Sequence, residues 1–390
     1  MRTRSGSRYS NGGEVVALVG QKRKRSPSAV AGECDCGGRR KRPAGEPDYL
    51  DALPDDLVLS ILSKLAAASS APSDLLSVHL TCKRLNELGS HDMVFAKASP
   101  ASLAVKAAAW SEPAQRFLKR CADAGNLEAC YNLGMIRFYC LGSRSGGAAL
   151  LARAAVGGHA AALYSLAVIQ FNGSGGAKSD RDLRAGAALC ARAASLGHVD
   201  ALRELGHCLQ DGYGVRRDPA EGRRLLVAAN ARELTLALSA AASRHAVAAL
   251  PFAAAAGVVG GGGGCPLLSD FGWSLPEAEP HAANQFMVDW WASRCAAQAG
   301  GKKDGDGSGV DGDGDGAELR LCSHVRCGRR ETRRHEFRRC SVCGAANYCS
   351  RACQALDWKR AHKAQCVPMD RWLLAGVAVG GGVEAQQHQQ

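Results

Sequence analysis

The sequence predicts a mainly α-helical chain with three ordered pieces: a small helical module, an α-solenoid of stacked helix pairs and a small cysteine-rich finger. Three observations carry that reading. Apolar residues recur at helical spacing behind Leu53-Pro54-Asp55-Asp56-Leu57, a Gly/Ala/Leu pattern occurs three times in an Ala-rich middle, and seven Cys with one His fall in four close pairs between residues 322 and 366. The chain has 390 residues, and single cores stop growing at roughly 250 to 300, so more than one domain is expected. No uninterrupted apolar run of membrane-spanning length is present, and Arg2, Arg4 and Arg8 precede any apolar stretch, so neither a span nor a secretory signal is expected. An odd total of 17 Cys argues for a reducing, intracellular setting with metal-binding thiols rather than a disulfide framework.

Residues 1–47 read as a disordered basic segment. Eleven Lys or Arg face Glu14, Glu33 and Asp35 in residues 1–44, and such a composition buries too little apolar surface to offset its ordering entropy. Lys22-Arg23-Lys24-Arg25 and Arg39-Arg40-Lys41-Arg42 are paired clusters of the kind that import receptors bind. The expected compartment is the nucleus, with the cytoplasm second.

The first ordered piece spans residues 48–95. Pro54 is preorganised for a helix start, Asp55 and Asp56 complement its positive end, and Leu57, Ile61, Leu62 and Leu65 follow at helical spacing. After Ser69, Asp74 is expected to cap a second helix bearing Leu75, Leu76, Val78 and Leu80. A module this small cannot bury all of these residues internally, which leaves an apolar patch for a partner. The string from Leu53 to Leu85 resembles the F-box. That resemblance implies a three-helix fold docking on a Skp-one-type adaptor and its cullin complex, through Leu53, Pro54, Leu57, Ile61, Leu62, Val78 and Leu85. Here Leu85 stands where the family often has Trp.

Residues 100–250 recur. Gly125, Ala129, Leu133 and Gly134 return as Gly158, Ala162, Leu166 and Ala167, then as Gly197, Ala201, Leu205 and Gly206. Small residues at fixed offsets let paired helices approach closely, and stacked pairs share one core. Second helices are expected at Ala148 to Ala155 and Pro219 to Ala229, and His159, His198 and His207 read as ordinary helix residues. The turn Asp211-Gly212-Tyr213-Gly214 resembles that of SEL-one-like repeats, relatives of the tetratricopeptide family, which implies a protein-binding surface. Residues 257–264 and 300–317 read as Gly and Gly/Asp linkers. Between them, residues 265–299, with Phe271, Trp273, Trp290 and Trp291, are expected to cap the repeat stack. Asp311, Asp313 and Asp315 imitate half a calcium loop, but Cys322 stands where a bidentate Glu is required.

The finger occupies residues 318–366, ahead of a C-terminal tail, 367–390. Its pairs are Cys322 and Cys327, Cys340 and Cys343, Cys349 and Cys353, and His362 and Cys366. Eight ligands, seven soft thiolates and one imidazole, suffice for two closed tetrahedral sites, which select zinc and leave no open position for catalytic water. Cys349 to Trp358, with His362 and Cys366 behind, resembles the MYND-type zinc finger. The resemblance implies an interleaved pairing, with Cys322, Cys327, Cys349 and Cys353 on one ion and Cys340, Cys343, His362 and Cys366 on the other. His324 is a rival ligand at the first site. Gln354 and Trp358 match positions near the family's surface for proline-containing peptides, and for Trp358 packing against the small core is the competing role. The surrounding Arg residues can offset the charge of thiolate-zinc centres. No base-reading helix accompanies them, so specific nucleic-acid binding is not expected.

Together these pieces resemble plant F-box proteins with MYND-type fingers. The implied function is that of a noncatalytic, substrate-recruiting subunit of a cullin-based E3 ubiquitin ligase. The alternative is a nuclear transcriptional scaffold that binds proline-containing peptides without ubiquitin.

Overall fold

The computed structural model describes Leu50 and residues 52–248, 279–300 and 319–369. The two basic clusters of the N-terminal segment, the 257–264 linker, Phe271, Trp273, residues 301–318 and the tail from residue 370 lie outside the described residues. Everything described from Leu53 onward belongs to one unit, and no described helix is long and apolar enough to cross a membrane.

Helix α1 (Asp55–Ala68) starts at Pro54 with both aspartates in its first turn. Its apolar residues divide between two faces. Val58, Leu62 and Ala66 are buried, whereas Leu57, Ile61 and Leu65 are 48%, 48% and 40% exposed. Leu62 therefore belongs to the internal core and not to an adaptor-docking face. Burying it contributes about 2 kcal/mol. Helices α2 (Pro72–His79), α3 (Lys83–Gly89) and α4 (Asp92–Ala96) complete the module. Asp74 stands inside the first turn of α2 rather than at its cap, because its carboxylate reaches back to the backbone N–H groups of Ser70 (2.8 Å) and Ala71 (3.1 Å). Those bonds lower its pKa. Arg84, on α3, donates to the Leu53 carbonyl and pairs with Asp55 at 2.7 Å, holding the start of α1 in place.

The repeats follow as helix pairs. Helices α5 (Glu112–Asp123) and α6 (Leu127–Met135, continued by a π-type turn, Ile136–Cys140) form the first. Then come α7 (Arg144–Val156) with α8 (Ala160–Asn172), α9 (Leu183–Ser195) with α10 (Val199–Asp211), and α11 (Pro219–Ala248). The recurrent glycines open each turn: Gly125, Gly158 and Gly197 have φ of +93°, +86° and +85°, a left-handed conformation that glycine adopts without strain. The next residue in each copy, Asn126, His159 or His198, caps the second helix by accepting from the N–H three residues on. His159 and His198 are thus caps, stacked on Tyr131 and Tyr164, while His207 lies within α10. At Gly147 a Cβ would stand 2.7 Å from the Phe138 nitrogen, which shows how closely α7 approaches the end of α6. Helix α11 continues well past Ala229, since its sequence holds no Pro or Gly between Arg223 and Ala248 and is rich in alanine.

Helix α12 (Ala282–Gly300) packs on α6, its π-type turn and the short 3₁₀ turn Ala107–Ala109. Phe286 meets Trp110 edge-on at 5.2 Å and stacks on Trp290 at 5.7 Å. This helix lies beside the first repeat, with Phe286 and Trp290 turned to it and Trp291 under Arg330 of the finger.

Candidate zinc centres and their seat on the repeats

The finger has little regular structure of its own. Strands β1 (Arg338–Arg339) and β2 (Asn347–Tyr348) pair antiparallel, and helix α13 (Arg351–Asp357) runs into a π-type turn that carries His362. The knuckle between Cys340 and Cys343 closes through Gly344, whose N–H donates to the Cys340 carbonyl at 2.9 Å and whose φ is +65°. Ser350 caps α13 by accepting from the Cys353 N–H at 3.1 Å. That cap sets Cys353, in the first turn, close to Cys349 just ahead of the helix.

Two ligand clusters result. One contains Cys322, Cys327, Cys349 and Cys353, and the other Cys340, Cys343, His362 and Cys366, with the ligand atoms of each within 4.8 Å of one another. Sulfurs in the first stand 3.6 Å apart from Cys327 to Cys349 and from Cys349 to Cys353. In the second, Cys340 and Cys366 are 3.8 Å apart, and the Cys343 sulfur lies 3.5 Å from Nε2 of His362. A tetrahedral zinc with Zn–S bonds of about 2.3 Å requires sulfurs roughly 3.8 Å apart, and a slightly shorter sulfur–nitrogen edge. The donor chemistry and spacing fit two zinc ions, held structurally by four protein ligands each. His324 stays outside the first cluster. It is buried, its Nδ1 has no hydrogen-bond partner, and it lines a cleft of about 410 Å³ between the finger and the repeats.

The finger is not an appendage on a linker. Ser350 accepts from the Tyr164 hydroxyl at 3.1 Å, the Cys349 carbonyl accepts from Asn172 at 2.8 Å, and the Ala352 N–H donates to Glu204 at 2.8 Å. Glu204 is buried, and that burial raises its pKa. Arg333 donates to the Gly173 carbonyl (2.7 Å), Arg351 pairs with Asp211 (3.1 Å) over the Tyr213 ring, and Arg144 donates to the Thr332 carbonyl (2.7 Å). Two of the finger's arginines, Arg333 and Arg351, are therefore spent at the ends of α8 and α10 rather than near the metal.

Arg329 serves both. It is 3% exposed. Its Nη1 lies 3.6 Å from the Cys327 sulfur and 3.9 Å from that of Cys349, and its Nη2 donates to Ser165 at 3.0 Å. Hydrogen bonds from the neighbouring thiols, aided by this guanidinium, pull the Cys327 pKa well below that of a free thiol. Opposite, Gly328 sits so close to α12 that a Cβ would stand 2.7 Å from the Met287 Cβ and the Val288 nitrogen. Both Gly328 and Gly344 follow the second cysteine of a ligand pair, a signal readable in the sequence. Arg329 had no comparable signal, because the cluster of arginines around it hides the one that is buried.

Among the positions expected to bind peptides, Gln354 is half-buried and Trp358 is 39% exposed, its ring edge-on to His362 at 5.8 Å. The neighbouring Lys359 reaches Asn230 on α11 at 3.2 Å. Of the adaptor positions, Pro54, Leu57 and Ile61 are exposed, Leu53, Val78 and Leu85 are half-buried, and Leu62 is internal. Leu76 and Leu80, at 58% and 77% exposure, were not among the expected contacts.

Comparison with known families matches an F-box-like module at residues 50–98, plant tetratrico peptide repeats at 102–189, a Sel1 repeat at 199–231 and a MYND finger at 322–366. An F-box protein of Arabidopsis thaliana is 59% identical over 339 residues, covering 86% of this chain and 85% of its own. A second from the same plant is 52% identical over 338 residues, covering 87% of this chain and 91% of its own. A solved Sel1 repeat protein from Oxalobacter formigenes is 19% identical, with a TM-score of 0.33 over 42% of this chain and 69% of its own.

Proposed function

The chain belongs to the family of plant F-box proteins with Sel1-like repeats and a MYND finger, and on that premise we propose that it is the substrate-recruiting subunit of a cullin-based, SCF-type E3 ubiquitin ligase. The observation that carries the proposal is the exposed stripe Leu57, Ile61 and Leu65 beside Pro54, within an F-box-like module. An apolar stripe left in water beside a filled core is a surface awaiting a partner. In this reading a Skp-one-type adaptor covers the stripe, and the repeats and finger hold a protein substrate at the other end.

The mechanism is proximity. Holding a substrate beside a reactive thioester on another subunit replaces a bimolecular encounter with an intramolecular one. On this reading the chain contributes no catalytic group, and its zinc ions supply rigidity, since the four ligands at each site are protein side chains. A peptide-recruiting scaffold acting without ubiquitin is not favoured, because it leaves the F-box stripe without a role. The proposal also places the protein in the nucleus, with the cytoplasm second, on the basic clusters at Lys22–Arg25 and Arg39–Arg42. A fluorescent fusion whose distribution is unchanged when both clusters become alanine refutes that part.

Co-purification with the adaptor tests the central claim. Wild-type chain should form a stoichiometric complex and Leu57→Asp with Ile61→Asp should not. Equal recovery of both refutes it.

A further inference from the structure

Between the F-box module and the first repeat runs an apolar groove of about 740 Å³. One wall is α2, through Pro72, Leu76 and His79, and the other is α5, through Pro113, Phe117 and Arg120. Both sets follow an i, i+4, i+7 spacing, so each helix turns one straight face to the groove. Phe95 and Leu75 form the floor. Leu76 is 58% exposed there.

None of the seven positions expected to meet the adaptor lines this groove, and much of its lining, from Ala104 to Arg120, lies beyond the F-box match. It is a second surface. Its charge is one-sided: Lys106, Arg116 and Arg120 line it, and no carboxylate does. Arg116 reaches Glu112 at 3.4 Å, both largely exposed. Arg120 lies over Phe95, 4.6 Å from the ring centroid, and donates to the Ser90 carbonyl rather than to an acid. Lys106 has no ion-pair partner among the described residues.

The walls also restrict the shape of an occupant. They are helices with internally bonded backbones, and the two described strands both lie in the finger. An extended segment would find no sheet edge to pair with and would desolvate its own N–H and C=O groups at a cost. A helix satisfies its backbone internally and presents apolar anchors at the spacing the groove offers.

We propose that this groove docks an acidic amphipathic helix from a partner protein, with aliphatic anchors packed on Leu76, Phe95 and Phe117 and flanking carboxylates facing Lys106, Arg116 and Arg120. A surface spanning both modules makes the partner touch F-box and repeat together, and so fixes the angle between them.

The test is fluorescence anisotropy of the full zinc-loaded chain with a labelled, helix-favouring peptide carrying leucines at i, i+4 and i+7 flanked by glutamates. Binding should weaken about tenfold in Leu76→Glu and in Lys106→Glu with Arg116→Glu, and similarly when the peptide's glutamates become lysines or its leucines alanines. Adaptor co-purification of the same variants should be unchanged, while Leu57→Asp with Ile61→Asp should lose the adaptor and keep the peptide. Circular dichroism melts check that the variants fold. No binding, equal binding of the lysine peptide, or adaptor loss in Leu76→Glu overturns the proposal. A concentration-dependent dimer abolished by Leu76→Glu does so too, since the occupant is then a second copy.

Discussion

The Nη1 of Arg329 lies 3.6 Å from the Cys327 sulfur while its Nη2 donates to Ser165 on α8, so one buried guanidinium joins a metal centre to a repeat helix. A thiolate-rich centre carries excess negative charge, and a cation buried beside it is held by that charge. Removing one member of a buried pair costs about 3 kcal/mol or more. Arg329→Met should therefore lower the thermal midpoint of the repeats by roughly 10 °C, and should hasten zinc loss to a chromogenic chelator. Unchanged values for both measurements would mean that the contact is incidental.

Zinc removal should reach beyond the finger. Metal binding supplies on the order of 10 kcal/mol to folding in such segments. Without it, Asn172, Glu204 and Arg144 lose the partners described above. Hydrogen exchange on chelated protein should show faster exchange at the ends of α8 and α10, where a tethered, independent finger would leave the repeats untouched.

Neighbouring positions on α1 should behave in opposite ways. Ile61→Asp should abolish adaptor capture with a melt close to wild type. Leu62→Ala should cost about 3 kcal/mol through the cavity it leaves, yet keep the exposed stripe. The pair separates docking from packing in two melts and two pull-downs.

Glu128 gives a pH prediction. Burial opposes its charge, but a hydrogen bond from His159 and the ion-pair contact of His281, each at 3.0 Å, outweigh burial and hold its pKa at about 2 against an ordinary 4.5. A carboxylate with a depressed folded pKa stabilises above its unfolded value and loses that contribution as pH falls toward the folded one. The advantage of wild type over Glu128→Gln should be about 3 kcal/mol near neutral pH and should shrink between pH values of about 5 and 2. Denaturant midpoints across that range measure it, and a constant difference would contradict it.

Gly328→Val should fail for a different reason. Its side chain would meet α12 backbone at 2.7 Å, and φ is +69°. Overpacking and backbone strain together cost roughly 2 to 5 kcal/mol, visible as loss of zinc stoichiometry on purification.

Much of this architecture was legible because it repeats or binds metal. Ala129, Ala162 and Ala201 are all fully buried at equivalent places, and period alone marked them. The ligand pairs were legible because tetrahedral chemistry restricts spacing. What was hidden depended on residues far apart in the chain: the burial of Arg329, the cap role of His159 and His198, and the seat of α12 beside the first repeat. Local pattern also failed to say which face of α1 is inside, since Leu57, Ile61 and Leu62 are equally apolar until α4 covers one of them.

The bond from Arg144 to Thr332 spans 188 residues, and its consequence is one of timing. During synthesis the F-box helices emerge and can close long before the finger exists, because their contacts are local, while the inner surface of the repeats must wait for residues near 366. Domains fold as units, N-terminal first. A ribosome that stops within the 257–317 region would thus release a polypeptide able to claim an adaptor but missing the partner that braces its repeats. On the proposed function, such a product would compete with intact copies for the ligase, so that completion of the last metal centre would decide the usefulness of everything translated before it.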